Sequence, residues 1–302
     1  MTIQHETAGP TVDFPAAAEA ALRDATGRSG LDARGARLIR LFATAVYHLP
    51  AADAVARIAP VTSPDSVARL ATSVQVTRWL TGNGYPSVEP LQVEQPVTCH
   101  GCAVTFWRYL PQDGPEPVSA DLGVLLRRLH GLGPPPIVLA AYRPLVSVRR
   151  AIASSCAIDE EARAWLGERC EQLLDAYGQL SFQLPAGMIH GDAYRGNMLR
   201  DGHRVVLADW DAVSEGHREV DLIPTLQASR FGLPDDQRDG FVAAYGQDIR
   251  SWNGYPVLRD IRELSTITAL LRDGHADAAA HRELRIRLRS LRTGDHHEWS
   301  SF

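Results

Sequence analysis

The hydrophobic pattern changes character near residue 109, and this change constrains the fold of the 302-residue chain more than any other feature. Before residue 109, alternating apolar segments typical of strands stand beside two helical segments. After it, apolar residues recur mostly at helical spacing. At roughly 150 residues per domain, the chain has room for two units with cores of their own. We therefore expect an α+β fold in two lobes: a small antiparallel sheet lobe at 1–109 and a mainly helical lobe at 110–302.

The first lobe is expected to combine two helices with four strands. One helix is predicted at 16–26. Ser63-Pro64 supplies the N-cap and first-turn proline of a second, whose main segment is 66–80. The strands are predicted at 37–49, 54–58, 88–93 and 99–107, with a turn at 50–53 joining the first two.

Five segments of the second lobe carry helical periodicity or strong helix formers: 120–132, 145–154, 159–177, 256–272 and 276–291. Between the third and the fourth, polar loops separate the short apolar segments 188–190, 198–199 and 205–208. Loops held on a rigid scaffold often carry chemistry, so we expect the functional groups in this region.

Cys99 and Cys102 have the spacing of redox and zinc-binding pairs. Their flanks alternate like two strands, however, with His100-Gly101 in the turn between them. A structural zinc site takes four ligands, and Cys156 and Cys170 lie in helical segments without a second close pair. We interpret the motif as a hairpin turn, and the few cysteines as typical of a reducing compartment.

The charged residues exclude several functions. All 31 basic residues are arginine, which excludes reactions that need a lysine Schiff base or a P-loop lysine. The net charge of -5 argues against a broad nucleic-acid surface. No apolar run approaches the ~18–20 residues that span a bilayer, and the N-terminus lacks the basic and apolar pattern of a signal peptide. We expect a cytoplasmic protein that acts on a small molecule, with no nucleic-acid or membrane partner.

The most informative stretch is His190-Gly191-Asp192-Ala193-Tyr194-Arg195-Gly196-Asn197, which is followed by an apolar strand that ends in Asp209-Trp210-Asp211. If the strands next to these two loops pair, Asp192, Asn197 and Asp209 converge. Carboxylate and amide oxygens suit Mg²⁺, which prefers oxygen ligands and keeps waters and substrate phosphates in its shell. A separate carboxylate nearby can accept or orient a hydroxyl proton.

This pattern, H-G-D-x-x-x-x-N followed by D-W-D, resembles the aminoglycoside phosphotransferase family, part of the protein-kinase-like group that includes choline kinases. The resemblance covers roughly residues 40–272 and implies a bilobal protein-kinase-like fold that uses ATP or GTP with Mg²⁺. Carried over by position, it makes Asp192 the catalytic base and Asn197 and Asp209 the metal ligands.

The same resemblance assigns adenine contacts to the segment 104–109, which falls where the hinge strand of a kinase would be. Phe106, Trp107 and Tyr109 are therefore candidate nucleotide-binding residues. The segment 122–130 resembles the first helix after that hinge.

The phosphate contacts depart from the kinase pattern, which pairs a lysine with a helix glutamate. Arg57 occupies the expected strand and is the candidate replacement for the lysine, since arginine binds phosphate as a bidentate fork. The alternative is that Arg57 is a plain surface residue on an edge strand. Thr72 or Gln75 stands about where the glutamate is expected, and the loop predicted over the nucleotide, 43–47, has no glycine.

Three further residues have roles implied by their positions. His190 would hold the catalytic loop, and Asp221 matches a family aspartate that braces the loop from the following helix. Arg195 would neutralise charge on the transferring phosphoryl group, or else pair with Asp211 or Glu215.

A polycationic acceptor such as an aminoglycoside needs a site lined by carboxylates. The acids that we expect near it are Asp211, Glu215, Glu219, Asp260 and Glu263. Trp299 in the C-terminal tail would stack on the acceptor, anchor the tail, or belong to a disordered end.

We interpret the chain as a small-molecule kinase that transfers the γ-phosphoryl group of ATP to a hydroxyl of an aminoglycoside, another sugar or an amino alcohol. The alternative is a catalytically weak kinase-fold protein that binds or senses a ligand. The missing lysine and glutamate favour this alternative, whereas retention of Asp192, Asn197 and Asp209 favours the enzyme. An Asp/His hydrolase is disfavoured because no serine or cysteine nucleophile motif accompanies His190.

Overall fold

The computed structural model describes residues 14–274 and 277–300. The chain divides into two compact units, one made of Met1–Gly82 and Val88–Leu110, the other of Asn83–Ser87 and Pro111–Phe302. The short segment Asn83–Ser87 belongs to the second unit because it bonds there: the Leu207 amide donates to the Pro86 carbonyl at 3.1 Å, and the Ser87 hydroxyl donates to the Leu207 carbonyl at 3.2 Å.

The first unit contains a five-stranded antiparallel sheet in the order β1-β2-β3-β5-β4. Its strands are β1 (Arg37–Leu41), β2 (Ala45–Leu49), β3 (Ala54–Pro60), β4 (Val97–Cys99) and β5 (Cys102–Arg108), and its helices are α1 (Phe14–Arg28) and α2 (Pro64–Gly82). Because successive strand residues point to opposite faces of a sheet, Ala54, Ala56 and Ile58 lie on the same face of β3. They belong to a hydrophobic core that α1 covers with Ala18, Ala21 and Leu22.

Two of the predicted strands are wrong in extent. The segment 37–49 is a hairpin of β1 and β2, because the Phe42 amide donates to the Thr44 carbonyl at 3.0 Å and closes a turn. The predicted nucleotide loop 43–47 therefore belongs mostly to β2, and the turn itself is 42–44.

The segment 88–93 makes one isolated bridge, between Pro90 and Trp107, instead of the predicted strand. Proline has no amide hydrogen to donate, so a ladder cannot continue through Pro90. The interpretation of Cys99 and Cys102 as flanking a hairpin turn is confirmed, with φ at 50° for His100 and 71° for Gly101.

The second unit is mainly helical. Its helices are α3 (Ser119–His130), α4 (Val146–Ser154), α5 (Glu160–Gly178), α6 (Glu219–Leu226), α7 (Asp235–Tyr245), α8 (Tyr255–Ser265), α9 (Thr268–Asp273) and α10 (Ala278–Thr293). Two antiparallel two-stranded sheets lie among them, one of β6 (Ala186–Ile189) with β9 (Ser214–His217), the other of β7 (Met198–Asp201) with β8 (Arg204–Leu207).

The single helix predicted at 256–272 is wrong, since the chain forms α8 and α9 with a turn between them. The Thr266 hydroxyl donates to the Glu263 carbonyl at 2.6 Å, and the Thr268 hydroxyl donates to the Ser265 carbonyl at 2.7 Å. Such side-chain bonds to preceding carbonyls compete with helix continuation. Helix α7, which packs against α3, was not predicted from the sequence.

The C-terminal tail is held to the second unit through Arg230 and Arg287, and the Arg287 guanidinium lies 5.3 Å from the centroid of the Trp299 ring. The Trp299 amide donates to the Arg230 carbonyl at 2.6 Å, and the Arg230 guanidinium lies 4.7 Å from the centroid of the Trp299 ring. Trp299 is buried, which makes it a tail anchor rather than an acceptor platform. Among the described residues, no helix combines the length and apolar character that crossing a membrane requires.

Candidate active site

Asp192 lies in the loop that joins β6 to β7, and the loop turns on Gly191. Gly191 has φ of 81°, and a Cβ atom there would come within 2.3 Å of the Ala212 carbonyl oxygen. Only glycine tolerates both the positive φ and the close approach of the backbone. The sequence Gly-Asp therefore sets the direction in which Asp192 leaves the strand.

Asp221, at the start of α6, braces this loop as predicted. Its buried carboxylate accepts hydrogen bonds from the His190 amide at 2.7 Å, the Gly191 amide at 2.8 Å and His130 Nε2 at 3.1 Å. Burial by itself raises the pKa of Asp221, but the hydrogen bonds from the His130 ring and from the His190 amide favour the charged carboxylate, and the pKa lies below its usual value. The loop is thus fixed by a buried carboxylate with three donors.

His130 and Tyr245 extend this buried network. Because the Asp221 carboxylate needs a donor, His130 carries its proton on Nε2, and Nδ1 accepts from the Tyr245 hydroxyl at 2.9 Å. Burial raises the pKa of Tyr245 to about 12, which keeps that hydroxyl protonated. Neither residue was assigned this role from the sequence.

His190 links the loop to the end of β8. Its Nδ1 accepts from the Asp192 amide at 3.3 Å, so Nε2 carries the proton and donates to the Ala208 carbonyl at 2.9 Å. The ring is fully buried, with its centroid 4.6 Å from that of Trp210. These bonds agree with a scaffold role for His190.

Asn197 and Asp209 are held beside this loop by the same network. Asn197 Nδ2 donates to the Asp192 carbonyl at 2.9 Å, and the Asn197 carbonyl accepts from the Ala208 amide at 2.8 Å. Asp209 comes next in the chain, with φ of 63°. One hydrogen bond therefore joins Asn197 to Asp192, and a second joins Asn197 to Ala208, the residue before Asp209.

The donor set of this region fits Mg²⁺. Since Asn197 Nδ2 is used in a hydrogen bond, its Oδ1 is the atom left to bind a cation, and Asp209 adds a carboxylate. Within the described ranges, no group of three or more histidine, cysteine or acidic residues is placed to hold a metal ion. A site with few protein ligands is typical of Mg²⁺, which keeps waters and substrate phosphates in its shell.

Arg262 on α8 is a site residue that sequence reasoning missed. Its Nη1 donates to Asp192 Oδ1 at 2.7 Å in an ion pair. Tyr142 is close enough to both charges to interact with them, and burial raises its pKa. No local motif marks Arg262, because the contact joins residues 70 positions apart.

Arg195 pairs with Glu116 rather than with either acid considered from the sequence. Both side chains are substantially exposed. Arg195, Gly196 and Met198 line a cavity of about 390 Å³ together with the segment 112–117. Gln112 fixes that segment through two hydrogen bonds with the Arg200 backbone, at 2.9 and 3.0 Å.

Arg57 lies on β3, the middle strand of the sheet in the first unit. Its neighbours across the ladders are Val46 and Thr105. The alternative of an edge-strand position is therefore wrong. Its partly exposed side chain is on the opposite face from the core residues Ala56 and Ile58.

The backbone amides of the predicted hinge strand have partners inside the first unit. The Phe106 amide donates to Gln95 Oε1 at 2.7 Å, and the Tyr109 amide donates to the Asp53 carbonyl at 3.1 Å. The Phe106 side chain is fully buried in the core. The Phe106 carbonyl accepts from the Leu91 amide at 2.9 Å, so the side chain, amide and carbonyl of Phe106 are all engaged within the first unit.

Most of the acids expected near the acceptor have partners within the second unit. The Glu219 carboxylate accepts from the amides of Gln183 and Leu184, at 2.6 and 2.7 Å. Asp260 pairs with Arg169 and Arg259, and Glu263 pairs with Arg230.

The fold of this chain is similar to the folds of several solved structures. An amicoumacin kinase, solved in complex with AMP-PNP, Ca²⁺ and Ami, is 12% identical with a TM-score of 0.69 over 96% of this chain and 98% of its own. A choline/ethanolamine kinase family protein from Mesorhizobium loti is 16% identical, with a TM-score of 0.63 over 90% and 94%. An aminoglycoside phosphotransferase from Streptomyces rimosus is 20% identical, with a TM-score of 0.58 over 84% and 99%. The fold is thus the kinase-like fold predicted from the sequence.

The sequence identifies the family within this fold class. Residues 41–261 match the model of the phosphotransferase enzyme family, APH, and the chain belongs to that family. No curated protein sequence matches the chain significantly. The chain is therefore a phosphotransferase that acts on a hydroxyl group of a small molecule.

Proposed function

We propose that this enzyme transfers the γ-phosphoryl group of ATP, with Mg²⁺, to a hydroxyl group of a small molecule. The observation that carries the proposal is the pair of hydrogen bonds that tie Asp192 to Asn197 and Asn197 to the residue before Asp209. A base and two metal ligands are what phosphoryl transfer requires, because most of its catalysis is positioning and charge neutralisation.

In this reaction the acceptor hydroxyl oxygen attacks the γ-phosphorus, the bond to the bridging oxygen breaks and ADP leaves. Asp192 orients the hydroxyl and takes its proton, and Asp221 keeps the loop that carries Asp192 in place. Asn197 and Asp209 would hold Mg²⁺, which supplies neutralisation of phosphate charge. Asp192 Oδ1 accepts from Arg262, so we assign Oδ2 as the oxygen that takes the proton of the acceptor hydroxyl.

Arg195 is proposed to offset charge on the transferring group after it leaves Glu116. An ion pair as exposed as this one contributes only about 0–1 kcal/mol, so exchange for a phosphate oxygen costs little. Arg57, Trp107 and Tyr109 are proposed to bind the nucleotide, through phosphate for the arginine and through adenine for the aromatic residues. The proposed donor is ATP, with GTP as the variant to compare.

The proposal is tested by thermal unfolding with ATP alone, Mg²⁺ alone and both together. A ligand at 100 times its dissociation constant adds about 2.7 kcal/mol to the folded state, enough to raise a midpoint by several degrees. We expect a rise that needs both ligands, is lost in Asp209→Ala and is kept in Asp192→Ala, which should have no turnover. Asp201→Ala is the control, because Asp201 lies in the β7–β8 hairpin that precedes Asp209 and is ion-paired to Arg204.

Two outcomes would contradict the proposal. Normal ADP release by Asp192→Ala would remove Asp192 from the mechanism. A wild-type protein that binds nucleotide but releases no ADP with any acceptor would favour the alternative of a ligand-binding protein of kinase fold, which the absence of any lysine supports.

A further inference from the structure

The charge around Asp192 differs from what a polycationic acceptor needs. An aminoglycoside carries several ammonium groups, and a site for it must offer carboxylates that have no cation of their own. The hydrogen bonds and ion pairs of the carboxylates in this region decide whether it meets that requirement.

Three of the five acids expected to line an acceptor site are already engaged. Glu263 is buried and paired with Arg230, and Glu219 is fully buried, with Oε1 accepting from two backbone amides and Oε2 without a hydrogen-bond partner among the described residues. Asp260 is shared by Arg169 and Arg259. An acceptor amine would have to displace an arginine to reach Asp260 or Glu263, and Glu219 is enclosed by the fold.

The Asp192 carboxylate is itself ion-paired with a cationic side chain. Arg262 is bonded to one oxygen of Asp192, and the acceptor hydroxyl must bond to the other. With hydrogen bonds of about 2.7–3 Å on the two oxygens of one carboxylate, the guanidinium and the hydroxyl lie roughly 5 Å apart. The side chains of Arg262 and Asp192 are 27% and 39% exposed, so water and salt screen this charge only in part.

Arg262 also has a donor to spare. Its Nε is buried and, among the described residues, has no hydrogen-bond acceptor. Buried donors usually have an acceptor from the protein or from water, so this Nε is available to a water molecule or to an oxygen of the acceptor that replaces it. A hydroxyl, carbonyl or carboxylate oxygen on the acceptor would accept this hydrogen bond, whereas an ammonium group would not.

We infer that the acceptor is an oxygen-rich hydroxyl compound without positive charge near the reacting hydroxyl, and that Arg262 is the residue that selects it. The inference rests on the proposed function, since it takes Asp192 as the base. It also names Arg262 as a determinant of specificity, one residue beyond the segment that matches the family.

The test is ADP release from a set of several hundred hydroxyl compounds of all charges at neutral pH. The set includes kanamycin and the matched series glucosamine, glucose and glucuronate. Wild-type enzyme should give a kcat/KM at least tenfold higher for its best uncharged or anionic acceptor than for the amine analogue of that acceptor.

Variants separate selection from a structural role. Arg262→Gln should reduce that ratio about tenfold by raising KM for the non-cationic member, and Arg262→Lys should preserve the preference for non-cationic acceptors. Arg250→Gln is the control, because it removes an arginine that pairs with Asp239 and Asp248, two acids that the acceptor argument does not involve, and it should leave the ratio unchanged.

Three results would overturn the inference: a wild-type preference for polycations, an equal loss on both members of the pair in Arg262→Gln, or failure of every uncharged and anionic compound. Stabilisation by ATP with Mg²⁺ is measured on the same samples. If it is present, these results reject only the acceptor assignment; if it is absent in the wild type, the proposed function itself is wrong.

Discussion

Replacement of Asp221 is the sharpest test of how the catalytic loop is held. Its carboxylate accepts from two backbone amides and one histidine, all inside the second unit. A buried donor left without an acceptor costs about 1–3 kcal/mol. Because neighbouring losses do not add fully, we expect Asp221→Ala to lower the free energy of unfolding by about 3–5 kcal/mol. Asp221→Asn, which retains one acceptor oxygen, should lower it by about 2–3 kcal/mol.

The same contacts predict a dependence on pH. The pKa of Asp221 is lower in the folded protein than its usual value of 3.8, so the folded state favours the ionised form. A carboxyl of this kind stabilises the fold at pH values above its unfolded pKa, and the contribution is lost as pH falls through the folded pKa. The difference in stability between wild type and Asp221→Asn should therefore be full above about pH 5 and shrink below about pH 4.

Urea unfolding followed by tryptophan fluorescence measures both effects, with ADP release as the functional readout. Asp248→Asn is the control, because Asp248 also accepts from a backbone amide and from an arginine, but at the surface. The control should change the free energy of unfolding by less than about 1 kcal/mol. Neutral surface substitutions change the free energy of unfolding by up to about 0.5 kcal/mol. If the free energy of unfolding of Asp221→Asn at pH 7 differs from that of the wild type by no more than this, the reasoning is refuted.

Two further substitutions test the loop and the sheet. Gly191→Ala should abolish turnover and destabilise the protein by about 2 kcal/mol or more, since it combines a positive φ with a backbone clash. Gly202→Ala is the control, because Gly202 has φ of 61° but open space around its Cβ position. It should lower the free energy of unfolding in urea by only about 1–2 kcal/mol. Comparable losses in both would remove the clash from the explanation. Arg57→Ala should raise KM for ATP several-fold with little change in kcat for a saturating nucleotide, and an unchanged KM in steady-state kinetics would separate Arg57 from phosphate binding.

The sequence carried enough information to predict the loop chemistry because that part of the site is local. Asp192 and Asn197 share one loop, and a short hairpin between β7 and β8 brings Asp209 back beside them. The spacing of such residues is therefore fixed by a few turns. The constraint at Gly191 is local as well, because the turn of its own loop sets its positive φ.

The parts that could not be predicted depend on contacts between distant segments. Arg262 reaches Asp192 only because α8 packs beside the loop, and Glu116 meets Arg195 only because Gln112 fixes the segment after the first unit to the Arg200 backbone. A charge pattern along the chain cannot tell a carboxylate that lines a site from one that an arginine already holds. The choice of acceptor thus depends on tertiary ion pairs, whereas the chemistry of transfer depends on local motifs, and this is why a family motif predicts phosphoryl transfer without naming the molecule that receives it.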